Sequence, residues 1–467
     1  MSIYVHAYRW AWNSYRDNVR KILELARSKS RYPGDVLVFP ISTLTGGVHG
    51  FNDLHHEMKK ALEVAVERMA RSLANVDVTL ILPVYTTQGL GIFKISNGLA
   101  QALPIQADTG SLTVTQSVTG LDYDLVFRCA AFGELFEVPD SSDYILVDST
   151  AYSQTRVWPG HSRVVRHGRT WANYLMPQEA FDVRDQHVCS CDEAALSVAA
   201  LKTALTGYMA RYGFKDVSLG LSGGLDSAVV AAVACDALGP EHVFAYVLPS
   251  QYTSEESFQD AKDLAQNLGL TLRSLPIMPC VKTALATLEP ELDAQRPQQL
   301  MRENLQARVR GLLLMSLSNV DGSLLLTTGN KSELAVGYCT LYGDMCGGLG
   351  LLGDIYKSRL YRLCRTDAML SRVIPKNILS KAPSAELRPD QKDEDSLPAY
   401  DVLDKVLFDL IEREKDLNWL KKRHGAQLGQ MVFDLVRKSA FKRVQAAEVV
   451  TMSEKSLQNV PETFFFS

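Results

Sequence analysis

Along the chain, apolar positions alternate between helical and strand spacing. Val19, Ile22, Leu23, Leu25 and Ala26 recur at helical intervals through residues 18–29. Pro33-Gly34 interrupts the pattern, and Val36-Leu37-Val38-Phe39 then forms an apolar run that stops at Pro40. This predicts a helix, a break and a buried strand. A second helical pattern covers about Leu54 to Leu73 and leads into a buried strand from Val76 to Leu82. Shorter β-rich runs follow near 91–96, 112–118, 122–128 and 144–148. Elements alternating in this way predict a layered α/β or α+β domain, because each must bury one face against another layer. From Asp182 to Asp192 the chain is polar, carries Cys189-Ser190-Cys191 and has no period, so the linker falls there. It separates a domain over 1–185 from one over 190–467.

A helix begins near Ala194, with Val198, Leu201, Leu205, Tyr208 and Met209 on one face, and ends at Gly213. The strand Val217-Ser218-Leu219-Gly220-Leu221 then runs directly into Ser222-Gly223-Gly224-Leu225-Asp226-Ser227 and the apolar helix that starts at Ala228. A strand, a two-glycine turn and a helix N-terminus make a phosphate cradle. Glycine lets backbone approach the anion, and the unpaired N–H groups of the first turn point at it. The hydroxyls of Ser222 and Ser227 add donors. Asp226 repels a bare phosphate, but its carboxylate is well placed where Mg²⁺ bridges the two. The pattern therefore points to a metal-bound nucleotide. It lacks the lysine of a Walker A loop and is not GxGxxG.

With 467 residues, 46% of them apolar and 22% charged, the chain has room for two or three domains with cores of their own. The 49 basic and 53 acidic side chains leave a net charge of -4, so no global field favours nucleic acid or an anionic membrane, and any bound anion must be held locally. Eight cysteines are scattered without a CxxC pair or metal-ligand spacing, which predicts a reducing compartment, mostly buried thiols and no structural zinc. Met1 is not followed by a leader pattern and no window approaches 18 apolar residues, so a cytoplasmic location is expected.

Further along, the strand Val243–Leu248 ends at Pro249-Ser250, at the edge of the same predicted crevice, and Ser254 reads as the cap of a helix over 255–268. Glu303 to Arg310 open another helix in which Asn304 and Arg308, four apart, share a face while Arg310 points elsewhere. Strand Leu324–Thr327 leads into Thr328-Gly329-Asn330-Lys331-Ser332-Glu333-Leu334-Ala335-Val336-Gly337-Tyr338. The Ser-Gly-Gly-Leu-Asp-Ser turn resembles the PP-loop of ATP pyrophosphatases. Together with ENLQARVR, TTGNKSELAVGYCTLYGD, PSAELRPDQKDEDSLPAY and FKRVQA, it makes the stretch from Ala194 to Ala447 similar to NAD synthetases built as a nitrilase-like glutaminase fused to a PP-loop synthetase.

The resemblance implies an N-terminal nitrilase-like α/β sandwich and a C-terminal Rossmann-like parallel-sheet domain. It implies adenylation of deamido-NAD by ATP, with release of pyrophosphate, and then displacement of AMP by ammonia. Gly220, Ser222, Gly223, Gly224, Asp226, Ser227, Leu248, Thr328, Lys357 and Ser384 match ATP positions of the family. Asn304, Arg308, Glu333 and Lys442 match deamido-NAD positions. Asp226 and Glu333 are the expected Mg²⁺-side carboxylates, and with Lys357 the expected catalytic set. A homodimer or higher homo-oligomer is also implied.

The N-terminal domain departs from the family pattern. Its fused relatives hydrolyse glutamine with a Glu-Lys-Cys triad. Here the glutamate position is Ile41, the lysine position falls on Ala100, and Cys129 lacks the acidic neighbours of the usual nucleophile motif. Lys94 is the nearest alternative lysine. Loss of base and oxyanion cation each remove roughly 10²-fold of rate or more. The expectation is therefore a dead glutaminase and a synthetase using free ammonia or ammonia from a separate donor. Two alternatives stand beside it: glutamine use through a displaced triad, and a catalytically silent nucleotide-binding protein.

Overall fold

In a computed structural model the chain divides into two compact units, Met1–Arg211 and Tyr212–Ser467. The structure describes residues 3–5, 14–29, 35–41, 43–45, 54–108, 111–115, 123–128, 143–147, 150–153, 156–159, 161–166, 169–175, 181–182, 193–293, 295–453 and 455–457. Cys129, Cys189, Cys191 and all of the expected linker Asp182–Asp192 except Asp182 lie outside them.

The first unit holds two six-stranded sheets. One runs Phe181–Asp182, Ile3–Val5, Asp35–Val38, Val78–Thr86, Gly89–Ser96 and Leu99–Leu103 in spatial order. Ile3–Val5, Asp35–Val38 and Val78–Thr86 are parallel and the outer pairings antiparallel. The other runs Arg169–Leu175, His161–Arg166, Tyr144–Val147, Asp124–Arg128, Ser111–Val114 and Gln106–Asp108. Alternation decides which side chains share the core: Leu125, Phe127, Ile145 and Val147 join Leu37, Leu80 and Leu82 in one buried cluster, while Val126, Tyr144 and Leu146 pack on the opposite face. Helices Tyr15–Lys29 and His56–Ser72 add Ile22, Ala26, Leu62, Val66 and Met69 to the larger cluster. The predicted helices and strands up to residue 147 are present with shifted ends. The short strands between 150 and 182 escaped the pattern reading, because segments of two to seven residues show no sustained alternation.

The second unit is built on a parallel sheet. Its strands run Leu272–Ser274, Val243–Val247, Val217–Gly220, Leu324–Thr327, Leu349–Gly350 and Glu448–Val449 in spatial order, all parallel. From Val217–Gly220 the chain adds strands on one side, then returns to add Leu324–Thr327 on the other, so the switch point lies between these two strands. A crevice at that point, beyond the carboxyl ends of the strands, is where such sheets take ligands. Helix Leu225–Leu238 is buried along most of its length, which its Ala- and Val-rich sequence allows. Helix Lys331–Val336 is held by a separate cluster that includes Leu334, Leu403, Leu407, Leu420, Val432 and Val436.

Among the described cysteines, Cys235 and Cys364 are buried, Cys339 and Cys346 half-buried and Cys280 exposed, all free. Two of the five described thiols are thus buried, and the other three stand near the start of helix Met278–Leu288 or in loops. Among the described residues no helix is long and apolar enough to cross a membrane.

Candidate active site

The loop that follows strand Val217–Gly220 is fixed by its own hydroxyls and by contact with a neighbouring helix. Ser222 Oγ lies 3.1 Å from Ser227 Oγ and accepts from the Gly224 N–H at 3.2 Å. Ser227 Oγ lies 3.1 Å from the Gly224 carbonyl oxygen, and the Ser222 N–H reaches Ser227 Oγ at 3.2 Å. Ser227 is therefore a strut inside the loop; the helix cap is Gly224, which makes no side-chain cap. Gly223 sits at φ +76°, and a Cβ there would lie 2.1 Å from the carbonyl oxygen of Ser257. Only glycine fits.

Asp226, in the first turn of helix Leu225–Leu238, accepts from Asn330 Nδ2 at 2.9 Å and pairs with the Lys357 ammonium. Lys357 Nζ also lies 3.5 Å from Glu333 Oε1. Asn330 and Glu333 form a reciprocal capping box at the start of helix Lys331–Val336, so the carboxylate is aimed by the local turn. Lys357 N–H donates to Ser332 Oγ at 2.9 Å, and the ammonium stands 5.5 Å from the centre of the Tyr400 ring. Burial pushes the Glu333 carboxyl up to about 8, Asp226 adds repulsion, and Lys357 opposes both. Burial alone would lower the Lys357 ammonium, but Asp226 and Glu333 outweigh it and hold it above the ordinary lysine value.

Two half-buried carboxylates share one lysine at the mouth of a phosphate loop. That donor set fits Mg²⁺, which is held by one or two carboxylates plus substrate phosphates and keeps several waters. Among the described residues no group of three or more His, Cys, Asp or Glu could hold a metal ion by itself.

The other residues singled out from sequence fall around this core or at its edges. Gly220 ends the central strand, packed within reach of Leu248 and Leu314. Thr328 is half-buried and directly follows strand Leu324–Thr327, one step past the switch point. The Leu248 carbonyl accepts from Arg310 Nε at 3.0 Å, so Arg310 does turn toward the Val243–Val247 side while its helix neighbours turn the other way. Asn304 Oδ1 accepts from Thr340 Oγ1 at 2.8 Å, and exposed Arg308 donates to the Leu341 carbonyl at 3.2 Å. Lys442 donates to the carbonyls of Gly337 and Cys339 at 2.7 Å each, and Arg443 is buried against Ala335, Val436 and Ser439. The basic pair thus braces the turn after Lys331–Val336 instead of forming a surface patch. Ser384 is exposed and its Oγ accepts from the Glu386 N–H at 3.1 Å. Ser254 does cap its helix, accepting from the Ser257 N–H.

Three neighbours of the site were not found from sequence. Lys381 Nζ donates to the Gly223 carbonyl at 3.1 Å, Glu386 accepts from the hydroxyls of Ser254 and Ser257 at 2.7 Å each, and buried Asp393 accepts from Tyr400 OH at 2.9 Å. Their signal in the sequence is the PSAELRPDQKDEDSLPAY stretch, which contains Glu386 and Asp393 and begins two residues after Lys381.

A glycine turn at the switch point of a parallel sheet, with two carboxylates and a lysine at its mouth, defines a nucleotide-binding α/β protein of the PP-loop class. The NAD synthase family model matches residues 197–446, more than half of the chain, and the chain belongs to that family. A glutamine-dependent NAD(+) synthetase of Synechocystis is 46% identical over 258 residues, 55% of this chain and 46% of the relative. One from Thermotoga maritima is 38% identical over 354 residues, 75% of this chain and 60% of the relative. The chain thus spans about half the length of the curated relatives it matches. The structure of a glutamine-dependent NAD+ synthetase from Acinetobacter baumannii in complex with ADP aligns with a TM-score of 0.67 and 25% identity over 98% of this chain and 97% of that one. One from Cytophaga hutchinsonii aligns with a TM-score of 0.73 over 99% and 97% at 17% identity, a likeness of fold. The nitrilase-like plus PP-loop architecture read from the sequence is therefore the fold of this chain.

Proposed function

We propose that the chain amidates deamido-NAD to NAD at the expense of ATP. The observation that carries this is the Asp226–Lys357–Glu333 cluster at the mouth of the 222–227 loop, in a chain of the NAD synthase family. In the first step a nicotinate carboxylate oxygen attacks the α-phosphorus; the bond to the bridging oxygen breaks and pyrophosphate leaves. In the second a nitrogen lone pair attacks the acyl carbon, AMP leaves and the nitrogen sheds a proton. Both partners of the first step are anionic, so the site must supply positive charge and fixed donors more than a base. The loop N–H groups and the exposed Ser222 hydroxyl would hold phosphate, with Ser227 part of the same ATP site as the strut that shapes it, and Lys357 would face the developing charge. Bound Mg²⁺ would neutralise phosphate oxygens beside Asp226 and Glu333. Asn304, Arg308 and Lys442, gathered around the 337–341 turn, would hold deamido-NAD. A homo-oligomer belongs to the same proposal.

For the nitrogen donor, the names of the relatives favour glutamine over the ammonia-only reading drawn from the sequence. Ala100 lies exposed on the edge strand Leu99–Leu103, a poor place for an oxyanion cation. Lys94 lies one strand further in, half-buried and opposite Ile81, and is the lysine that a displaced triad would use. Ammonia use retains one specific support: Ile41, in the position of the family's base, is 1% exposed within the apolar core. AMP release with ammonium and with glutamine, measured side by side on wild type, Cys129→Ala and Lys94→Met, separates the two. Glutamine turnover lost in both variants with ammonium turnover kept supports the displaced triad; turnover with ammonium alone in the wild type refutes it.

A further inference from the structure

We propose that Lys381 is a positioning residue that fixes the orientation of the Gly223–Gly224 peptide and so sets the affinity of the phosphate loop for MgATP. The inference rests on the nucleotide-binding reading of that loop. The Lys381 ammonium lies 3.1 Å from the Gly223 carbonyl oxygen, 2.9 Å from Ser257 Oγ and 2.7 Å from Asp260 Oδ2, so its three donors are spent. On the other side of the same peptide, the Gly224 N–H is held by Ser222 Oγ at 3.2 Å. A peptide unit is planar, so holding its oxygen and its N–H fixes both. Gly223 stands at positive φ, where glycine has wide freedom, and without the lysine the plane can turn and present a carbonyl oxygen to the phosphates. The clamp is anchored on the helix that packs against the loop. Asp260, its side chain 5% exposed, also accepts from Asn377 Nδ2 at 2.9 and 3.1 Å, and Glu386 binds the hydroxyls of Ser254 and Ser257. The segment 381–386 is thus pinned at both ends on the start of helix Glu255–Leu268, with exposed Ser384 between the pins.

Lys381→Met leaves Asp260 its Asn377 donor, so the fold has a substitute partner. MgATP affinity, measured by calorimetry on the full chain, should fall about tenfold or more, the worth of a hydrogen bond from a charged group. The KM for deamido-NAD should stay within about twofold, and Lys381→Arg should restore part of the loss. Ser257→Ala, which removes a hydroxyl shared by Lys381 and Glu386, should weaken MgATP in the same direction and carries the test alone if Lys381→Met does not fold. Wild-type MgATP affinity in whichever of the two variants folds, or an equal fall in deamido-NAD affinity, overturns the proposal. Weakened MgATP binding in a protein whose wild type makes no AMP from deamido-NAD supports the clamp and refutes the synthetase reading.

Discussion

Gly223→Ala tests the geometry of the phosphate loop in isolation. Two costs add at this position. The backbone conformation at φ +76° costs an L-residue about 1–2 kcal/mol. The new methyl would meet the Ser257 backbone, at 2.1 Å from its oxygen, 2.8 Å from its carbonyl carbon and 2.9 Å from its Cα, and these atoms belong to the first turn of helix Glu255–Leu268. Overpacking of that kind costs about 1–3 kcal/mol, and it can be relieved only by moving the loop off the helix. The sum is about 2–5 kcal/mol, or a fall of about 4–20 °C in melting temperature for a unit of this size. A loop displaced by about an ångström should also lose about 10²-fold in ATP-dependent turnover. Gly213→Ala is the control, because Gly213 has φ +79° but nothing within 4 Å of where the new methyl would sit, so only the conformational cost applies. Thermal melts of both variants with KM for ATP separate the terms. Equal melting shifts, with the ATP KM of Gly223→Ala unchanged, would refute the packing argument.

Lys331 is 0% exposed and holds Asp354 and Glu412; Lys331→Met should cost about 3–5 kcal/mol by leaving buried carboxylates unpaired, and a urea midpoint equal to wild type contradicts this. Asp226→Asn preserves shape and the Asn330 contact but removes the charge opposite Lys357; AMP release should fall by about 10²-fold or more, and turnover within threefold of wild type would remove Asp226 from the chemistry.

What the sequence disclosed follows the range over which each signal acts. The 222–227 loop is local, since its two glycines, two serine hydroxyls and carboxylate are written into consecutive residues, whereas Glu333 was singled out only through the family resemblance and its capping box with Asn330 is a finding of the structure. The helix spacing that put Asn304 and Arg308 together and Arg310 apart is equally local. Lys381 and Glu386 escaped because their partners are at least 121 residues away in sequence, and a lysine ahead of a proline in a polar stretch reads as solvated loop. The buried Lys331 escaped for the same reason: its carboxylates come from residues 354 and 412, and no pattern within one helix reports such a meeting. In the first unit periodicity found the longer elements, but which strands run parallel depends on connections that periodicity does not encode.

The most direct measurement follows the phosphorus-containing products when the chain is given ATP, deamido-NAD and ammonium or glutamine. AMP and pyrophosphate appearing in equal amounts with NAD, and only when deamido-NAD is present, is the predicted result. ADP with orthophosphate, or AMP formed at the same rate without deamido-NAD, would contradict the account.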